Sequence, residues 1–501
     1  MTKTPSAGAV AAEQVPHFDV LIVGAGISGI GAAYHLTHEF PDKSFLVLDT
    51  HEDFGGTWWT HQYPGARTDS DMYTFGYRFK PWRKGILADR EEIRDYLAEV
   101  IAENGLDAHI RYQHRVTAIH WSTPAHRWTV EVTRTDTREP LRLTTDFLWM
   151  CQGYYDHDEG HMPQWPGMHR FQGRIVHPQK WPKDLAYEGK RVVVIGSGAT
   201  AATLVPTLAK TAAHVTMLQR TPTYYVISPP SNPLADRLHE LDVPHEWTHE
   251  ILRRAVIADV AKRDAQIAAS PEAFGKVLID QVRAALPEDF DVEKHFTPPY
   301  LPGQQRICRI PEGDLFKAIS DGTASVVTDH IETFTESGVR VASGETIEAD
   351  IVITATGFNL SILGGIAVSL DERQVDLADT VTYRAAMFTG VPNLVHLFGY
   401  LRHSWTLRVD LLADFVCRLL HHMEGRGATV VQPVLRAEDA NMALRPWTDL
   451  NKFNAGYALR TQHVMPKQGD RVPWLGADIG YEEESLTLPF IDLDDGTLAF
   501  T

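Results

Sequence analysis

Apolar residues in this chain gather into short, dense runs separated by small residues. Phe18-Asp19-Val20-Leu21-Ile22-Val23 is one such run, rich in β-branched side chains and suited to a parallel strand buried on both faces. Small residues follow, and the spacing from about Ile30 to Phe40 predicts a helix. A second short run, Ser44 to Leu48, ends at Asp49 and completes a strand–helix–strand unit. The same pattern recurs far downstream. There a strand over Arg191 to Ile195 leads through small residues into a helix reaching about Ala212. A strand over His214 to Leu218 then ends in Gln219-Arg220.

Trp128 to Arg134 and Leu141 to Cys151 read as strands that finish the first sheet or cap it. Residues 222 to 305 are mixed, charged and interrupted by prolines, which predicts a helical insertion. Asp350 to Gly357 reads as a buried strand with a glycine stop, returning the chain to the first domain. Trp405 to Glu424 carries Leu407, Leu411, Leu412, Phe415 and Leu419 at helical spacing, which fits a helix packed on that domain.

With 501 residues and 44% hydrophobic content, the chain can bury two large cores. A formal net charge of −18 argues against nucleic acid or anionic lipid as the main partner. Cys151, Cys308 and Cys417 lie far apart, which suits a reducing, cytoplasmic setting and leaves no Cys-x-x-Cys centre. Residues 1–17 read as a disordered tail, too weakly apolar for a signal peptide. No stretch is long and apolar enough for an integral membrane segment. Nothing in the sequence sets the oligomeric state.

Both small-residue turns match dinucleotide motifs. In Gly24-Ala25-Gly26-Ile27-Ser28-Gly29, the first glycine makes the tight turn and the second admits a pyrophosphate to the backbone. The third lets helix and strand pack closely. The helix start, with Ser28 in its first turn, offers free N–H groups to phosphate. Asp49 would accept hydrogen bonds from a ribose diol and repel a 2′-phosphate, so this site should take FAD or NAD. Gly55-Gly56-Thr57-Trp58 lets the chain hug a planar ligand and favours FAD. The second motif, Gly196-Ser197-Gly198-Ala199-Thr200-Ala201, places Ala201 where the third glycine would stand. Its strand ends in Arg220-Thr221, a cation and a hydroxyl suited to the 2′-phosphate of NADPH. The expected fold is therefore α/β, with two Rossmann-like dinucleotide-binding domains and a helical insertion. Residues 18–160 and 350–501 would bind FAD. Residues 161–349 would bind NADPH, with the insertion at about 222–305.

Between the motifs runs Phe171-Gln172-Gly173-Arg174-Ile175-Val176-His177-Pro178-Gln179-Lys180-Trp181-Pro182. It resembles the F-x-G-x-x-x-H-x-x-x-W-P segment of class B flavin monooxygenases of the Baeyer–Villiger type. The segments from Pro64 to Tyr73, Leu218 to Pro222, Gln305 to Cys308 and Ala355 to Phe358 are similar to that family too. Trp405 to Leu407 and Phe415 to Leu420 resemble its mycobacterial members.

The resemblance implies that NADPH reduces the flavin and that O₂ adds to give a flavin C4a-peroxide. A ketone then becomes an ester or lactone, and thioethers are sulfoxidised as well. It places Arg306 beside the reacting oxygen as a fixed cation, with Asp69 orienting it. It puts Arg67 and Thr68 by the flavin and Val116 against adenine through its backbone. His177 and Trp181 are expected to link domains rather than touch substrate. Many relatives have Lys before the catalytic Arg where this chain has Gln305, so NADPH preference would rest on Arg220 and Thr221. The alternative is a flavin-containing oxygenase acting mainly on sulfur or nitrogen.

Two further patterns compete for attention. His245-Glu246-Trp247-Thr248-His249 fits the H-E-x-x-H zinc pattern, but it lies in an insertion to a nucleotide domain. Trp58, Trp59, Tyr73, Phe398 and Trp405 are candidates for an apolar pocket.

Overall fold

The computed structural model describes residues 15–501. The tail expected over residues 1–17 therefore lies outside the described residues as far as residue 14. Its last part is ordered, because the Pro16 carbonyl accepts a hydrogen bond from Thr144 and the strand His17–Val23 opens one residue earlier than expected.

That strand lies in a nine-stranded sheet. It pairs in parallel with Phe45–Leu48 on one side, Val20 opposite Phe45 and Val23 opposite Leu48. On the other side it pairs in parallel with Pro140–Met150. Its inner residues are fully enclosed, as the unbroken apolar run requires. Arg127–Arg134 pairs antiparallel with Pro140–Met150, so the two strands expected to finish the sheet do so, and His114–Ser122 extends it by one more antiparallel strand. The helix Ile27–Glu39 covers one face and stops at Phe40-Pro41. Leu407–Arg426, the long helix expected from its apolar stripe, lies against it; a Cβ on Gly31 would stand 2.6 Å from Val409.

A second sheet of five strands is wholly parallel, in the order Ala324–Thr328, His214–Gln219, Arg191–Ile195, Ile351–Thr354, Arg174–Val176. One expectation is corrected here. Ile351–Thr354 does not return the chain to the first domain; it pairs with Arg191–Ile195 at the centre of the second sheet. A fully apolar strand carries no mark of which sheet will enclose it. The chain returns only after Gly357, where Phe358–Leu360 pairs antiparallel with Tyr155–Gly160, the segment by which it first left.

The insertion is helical as expected, built from Pro233–Glu240, His245–Ala269, Pro271–Ala284 and Val292–Phe296. It is framed by Tyr225–Ser228 and Cys308–Pro311, which pair in parallel and bring Arg306 back to the domain boundary. Its longest helix leans on the first domain, where Arg253 donates to the carbonyls of Tyr73 and Gly76. Among the described residues, no helix is long and apolar enough to cross a membrane.

Candidate active site

The first glycine motif closes the turn between His17–Val23 and Ile27–Glu39. Gly24 has φ of +106°, a conformation that disfavours any side chain. At Gly29 a Cβ would overlap the Gly24 carbonyl oxygen, so helix and strand can meet only over a hydrogen atom. The helix has no side-chain cap and no acid in its first turn, leaving its N–H groups available to an anion. Gly56 approaches the same turn so closely that a Cβ on it would stand 3.0 Å from Gly26 Cα. Asp49 is buried at the end of the second strand, where its carboxylate accepts from the backbone N–H of Ala25 at 2.6 Å and of His51 at 2.8 Å. The His51 ring Nδ1 also bonds Oδ1 at 3.0 Å, and a carboxylate's lone pairs exceed these three bonds, so Asp49 can still receive a ribose hydroxyl.

Gly24, Gly26, Ser28, Asp49, Gly56, Thr57, Trp58 and Val116 line one cleft. The cleft runs on past Arg67, Thr68 and Asp69 to Ala199, Thr200 and Arg306, so it spans both sheets. Gly29 lies beneath it. The Arg67 side chain bonds Asp314 at 2.8 Å, an ion pair that ties the loop of the first domain to the second. Thr68 is buried, its hydroxyl donating to the Ser70 carbonyl, which fixes the turn that presents Asp69.

The second motif repeats the geometry with less of its length in the cleft. Gly196 has φ of +131°, and Gly198 precedes an uncapped helix, Ala199–Leu208, with open space where its Cβ would be. Ser197 donates to the Thr221 carbonyl at 2.9 Å, joining the motif to the end of its second strand. Ala201 is fully buried. Arg220 is exposed, and Arg220 and Thr221 stand outside the cleft wall. Arg460, from a C-terminal helix (Gly456–Thr461), is near enough that burial and the Arg220 charge pull its pKa down.

Asp69 and Arg306 form a second contact between the domains at the cleft. Their nearest charged atoms are 4.0 Å apart, and the Asp69 charge raises the Arg306 pKa further. A second cavity, of about 370 Å³, opens on the far side of this pair against the insertion helix His245–Ala269. Asp69, Ser70, Arg306 and Arg309 border both spaces.

Several residues fall elsewhere than expected. Of the five aromatic candidates, Trp58 and Trp405 reach the cleft. Trp59 lies under the Arg94 guanidinium, Tyr73 is buried beside His249, and Phe398 packs on Trp447. His249 turns inward to the backbone of Trp82 and Tyr77 while His245 is exposed, so the H-E-x-x-H pair does not converge. His177 accepts from Gln179 N–H through Nδ1 and bonds the Gly357 carbonyl through Nε2, a bridge between strand ends.

One cleft residue has no local signal in the sequence. His61 is buried, and its Nδ1 bonds the Thr57 carbonyl at 2.9 Å and must therefore donate. Burial lowers its pKa to about 4, so the ring is neutral and Nε2 offers a lone pair that no described group satisfies.

Comparison with known proteins decides the family. Residues 83–233 match the flavin-binding monooxygenase-like model, and residues 22–89 match the NAD(P)-binding Rossmann-like domain. The chain is 45% identical over 489 residues to the putative FAD-containing monooxygenase MymA of Mycobacterium tuberculosis, covering 97% of both chains. The chain belongs to the FAD-containing monooxygenases. This monooxygenase is also 46% identical over 460 residues to the FAD-containing monooxygenase EthA of Mycolicibacterium smegmatis, covering 91% of this chain and 92% of EthA. Its fold matches the crystal structure of OTEMO in complex with FAD and NADP at a TM-score of 0.70 and 23% identity, over 85% of this chain and 89% of that one.

Proposed function

We propose that this monooxygenase uses NADPH and O₂ to convert ketones to esters or lactones, and that it sulfoxidises thioethers as a second activity. The observation that carries the reading is the Asp69–Arg306 pair, which stands between the nucleotide cleft and the second cavity. Bound FAD, reduced by NADPH, supplies the oxygen-transfer chemistry. The protein's part is to orient, to exclude water and to place charge.

Gly24, Gly26, Ser28 and Gly29 would receive the FAD pyrophosphate and Asp49 its ribose. Gly56, Thr57, Trp58, Arg67, Thr68 and Asp69 would border the ring, with Val116 near adenine. The motif from Gly196 to Ala201 would receive NADPH, and Arg220 with Thr221 its 2′-phosphate. This assigns the first sheet with the C-terminal helix to FAD, and the second sheet to NADPH. The OTEMO structure of the same fold is a complex with FAD and NADP, which agrees with two nucleotides on this scaffold.

Attack on a carbonyl carbon puts negative charge on oxygen as the bond forms. A guanidinium already in place stabilises that charge without reorganising, an effect worth roughly a hundred- to a thousandfold in rate. Arg306 would take this position, and a guanidinium stays charged at every working pH. Asp69, 4.0 Å away, would orient it without neutralising it at closer range.

Aerobic incubation of the holoenzyme with NADPH, isotope-labelled O₂ and matched ketone and thioether panels tests the reading. Labelled ester or lactone is the expected product. Sulfoxide without any ester would replace it with heteroatom oxygenation.

A further inference from the structure

The cavity beyond Arg306 has an uneven charge balance. Its walls carry five Arg or Lys side chains (Arg263, Arg306, Arg309, Arg402, Lys452) against three Asp. The chain as a whole has a net charge of −18, so the local excess of cations runs against the rest of the protein. Two of the three acids are already paired. Asp264 is bound by Arg263 at 3.1 Å, and Asp69 faces Arg306. Only Asp71 remains to offset Arg309, Arg402 and Lys452. Burial raises the Asp71 pKa to about 6, which weakens it as a counter-charge, and one of its oxygens accepts from the Tyr73 N–H.

Arg309 and Lys452 are the lining cations with neither a side-chain hydrogen bond nor an ion pair among the described residues, and of the two Arg309 is the less exposed. It lies in the short strand Cys308–Pro311, half-buried, and borders both the cleft and the cavity. Among the described residues it donates no side-chain hydrogen bond and has no carboxylate within ion-pair distance. Burial lowers its pKa while Asp71 and Asp69 oppose the shift from farther away. A guanidinium partly withdrawn from water and without a carboxylate partner keeps its N–H donors free for an anion in the cavity. The lining also carries apolar side chains, Val256, Val260 and Ile267 from the insertion helix together with Leu401 and Phe453, beside Arg263 and Asp264 of the same helix.

We infer that the organic substrate is an oxo acid, whose carboxylate is received by the Arg309 guanidinium while its aliphatic part lies along the insertion helix. This rests on the oxygenation proposed above and adds the substrate class to it. Two N–H groups of one guanidinium can hold a carboxylate side by side, which fixes direction as well as affinity. With Arg306 three residues away, the same strand entry would hold the carboxylate and face the reacting oxygen.

Calorimetric titration of the FAD-loaded enzyme separates the two claims, because it needs no turnover. The probes are levulinate with its primary amide, and medium-chain oxo acids with theirs; kcat/KM is measured on the same pairs. The acids should bind and react at least about tenfold better than the amides, the scale of one charge-assisted contact. Arg309→Leu should reduce the acids to the level of the amides, and Arg309→Lys should restore part of the difference. Equal binding of acid and amide across the series overturns the inference even if every ketone is oxygenated. So does an Arg309→Leu variant that loses NADP⁺ affinity and keeps its preference for acids. If acids bind selectively and no probe is oxygenated, the carboxylate site stands and the ketone reading falls.

Discussion

Asp69 and Arg306 face each other across 4.0 Å, although one lies in a loop of the first domain and the other follows the insertion to the second. Their separation depends on how the domains meet, so the charge that Arg306 presents to the cleft is set by domain geometry as well as by residue type. Arg67 and Asp314 hold a second ion pair across the same boundary at 2.8 Å.

Removing the guanidinium should therefore separate reduction from oxygenation. Arg306→Ala is expected to keep NADPH-driven bleaching of the flavin within about threefold of wild type, while oxygenated product falls at least about a hundredfold. Stopped-flow absorbance and product mass spectrometry read the two quantities. Product at wild-type yield would remove Arg306 from the chemistry.

Cofactor choice should follow Arg220. One charge-assisted contact to a phosphate is worth about 1.5–3 kcal/mol, so Arg220→Ala should raise KM for NADPH about ten- to a hundredfold and leave KM for NADH nearly unchanged. A like effect on both cofactors would move the 2′-phosphate elsewhere. With Gln305 bonded to Asn454 rather than offering a charge, Arg460 is the nearby cation, and Arg460→Ala should weaken NADPH in the same direction.

Flavin retention should depend on the helix–strand contact at Gly29. Gly29→Ala forces a methyl group into the Gly24 carbonyl, and relieving such overlap costs about 1–3 kcal/mol by opening the turn. The variant should purify with less than half the wild-type ratio of flavin to protein absorbance. Full flavin content would show that the turn is not where the pyrophosphate sits.

Acid should destabilise the protein earlier than its carboxylates alone suggest. His61 and His249 are held neutral by burial, with pKa values of about 4, and His396 with one of about 3. The unfolded chain takes up protons at these sites from pH 6.5 downward and the folded one does not. Their contribution is thus complete above 6.5 and is lost as pH falls towards 4, on the order of 3 kcal/mol for each ring. Asp71, raised to about 6 by burial, works in the opposite direction, but it is one group against three. The unfolding midpoint should fall steadily from about pH 7 to about pH 5, less so in His396→Phe. A flat profile would mean that these rings are protonated in the folded state.

What could be read from the sequence was whatever backbone geometry imposes on residue type. Gly24, Gly29 and Gly196 are legible because their turns exclude side chains. Asp49 and Arg220 are legible because they close the strands next to those turns. The sheet that receives Ile351–Thr354 was not legible, since four enclosed apolar residues suit either one. The antiparallel meander of Ile331–Phe334, Gly338–Val341 and Thr346–Glu348 was missed because its strands are three or four residues long. Arg306 was located only through resemblance, and Arg309 was passed over. The significance of Arg309 is a missing partner, and a missing partner exists only once distant segments have come together. His61 is silent for the same reason, as its free lone pair follows from burial rather than from its neighbours in sequence.

The most direct measurement is a single turnover. Holoenzyme reduced with one equivalent of NADPH is mixed with isotope-labelled O₂ and a ketone, and labelled ester is counted against NADPH consumed. The account predicts close to one labelled ester for each NADPH. Complete oxidation of NADPH to hydrogen peroxide, with no label in any ester or lactone across the ketone panel, would contradict it.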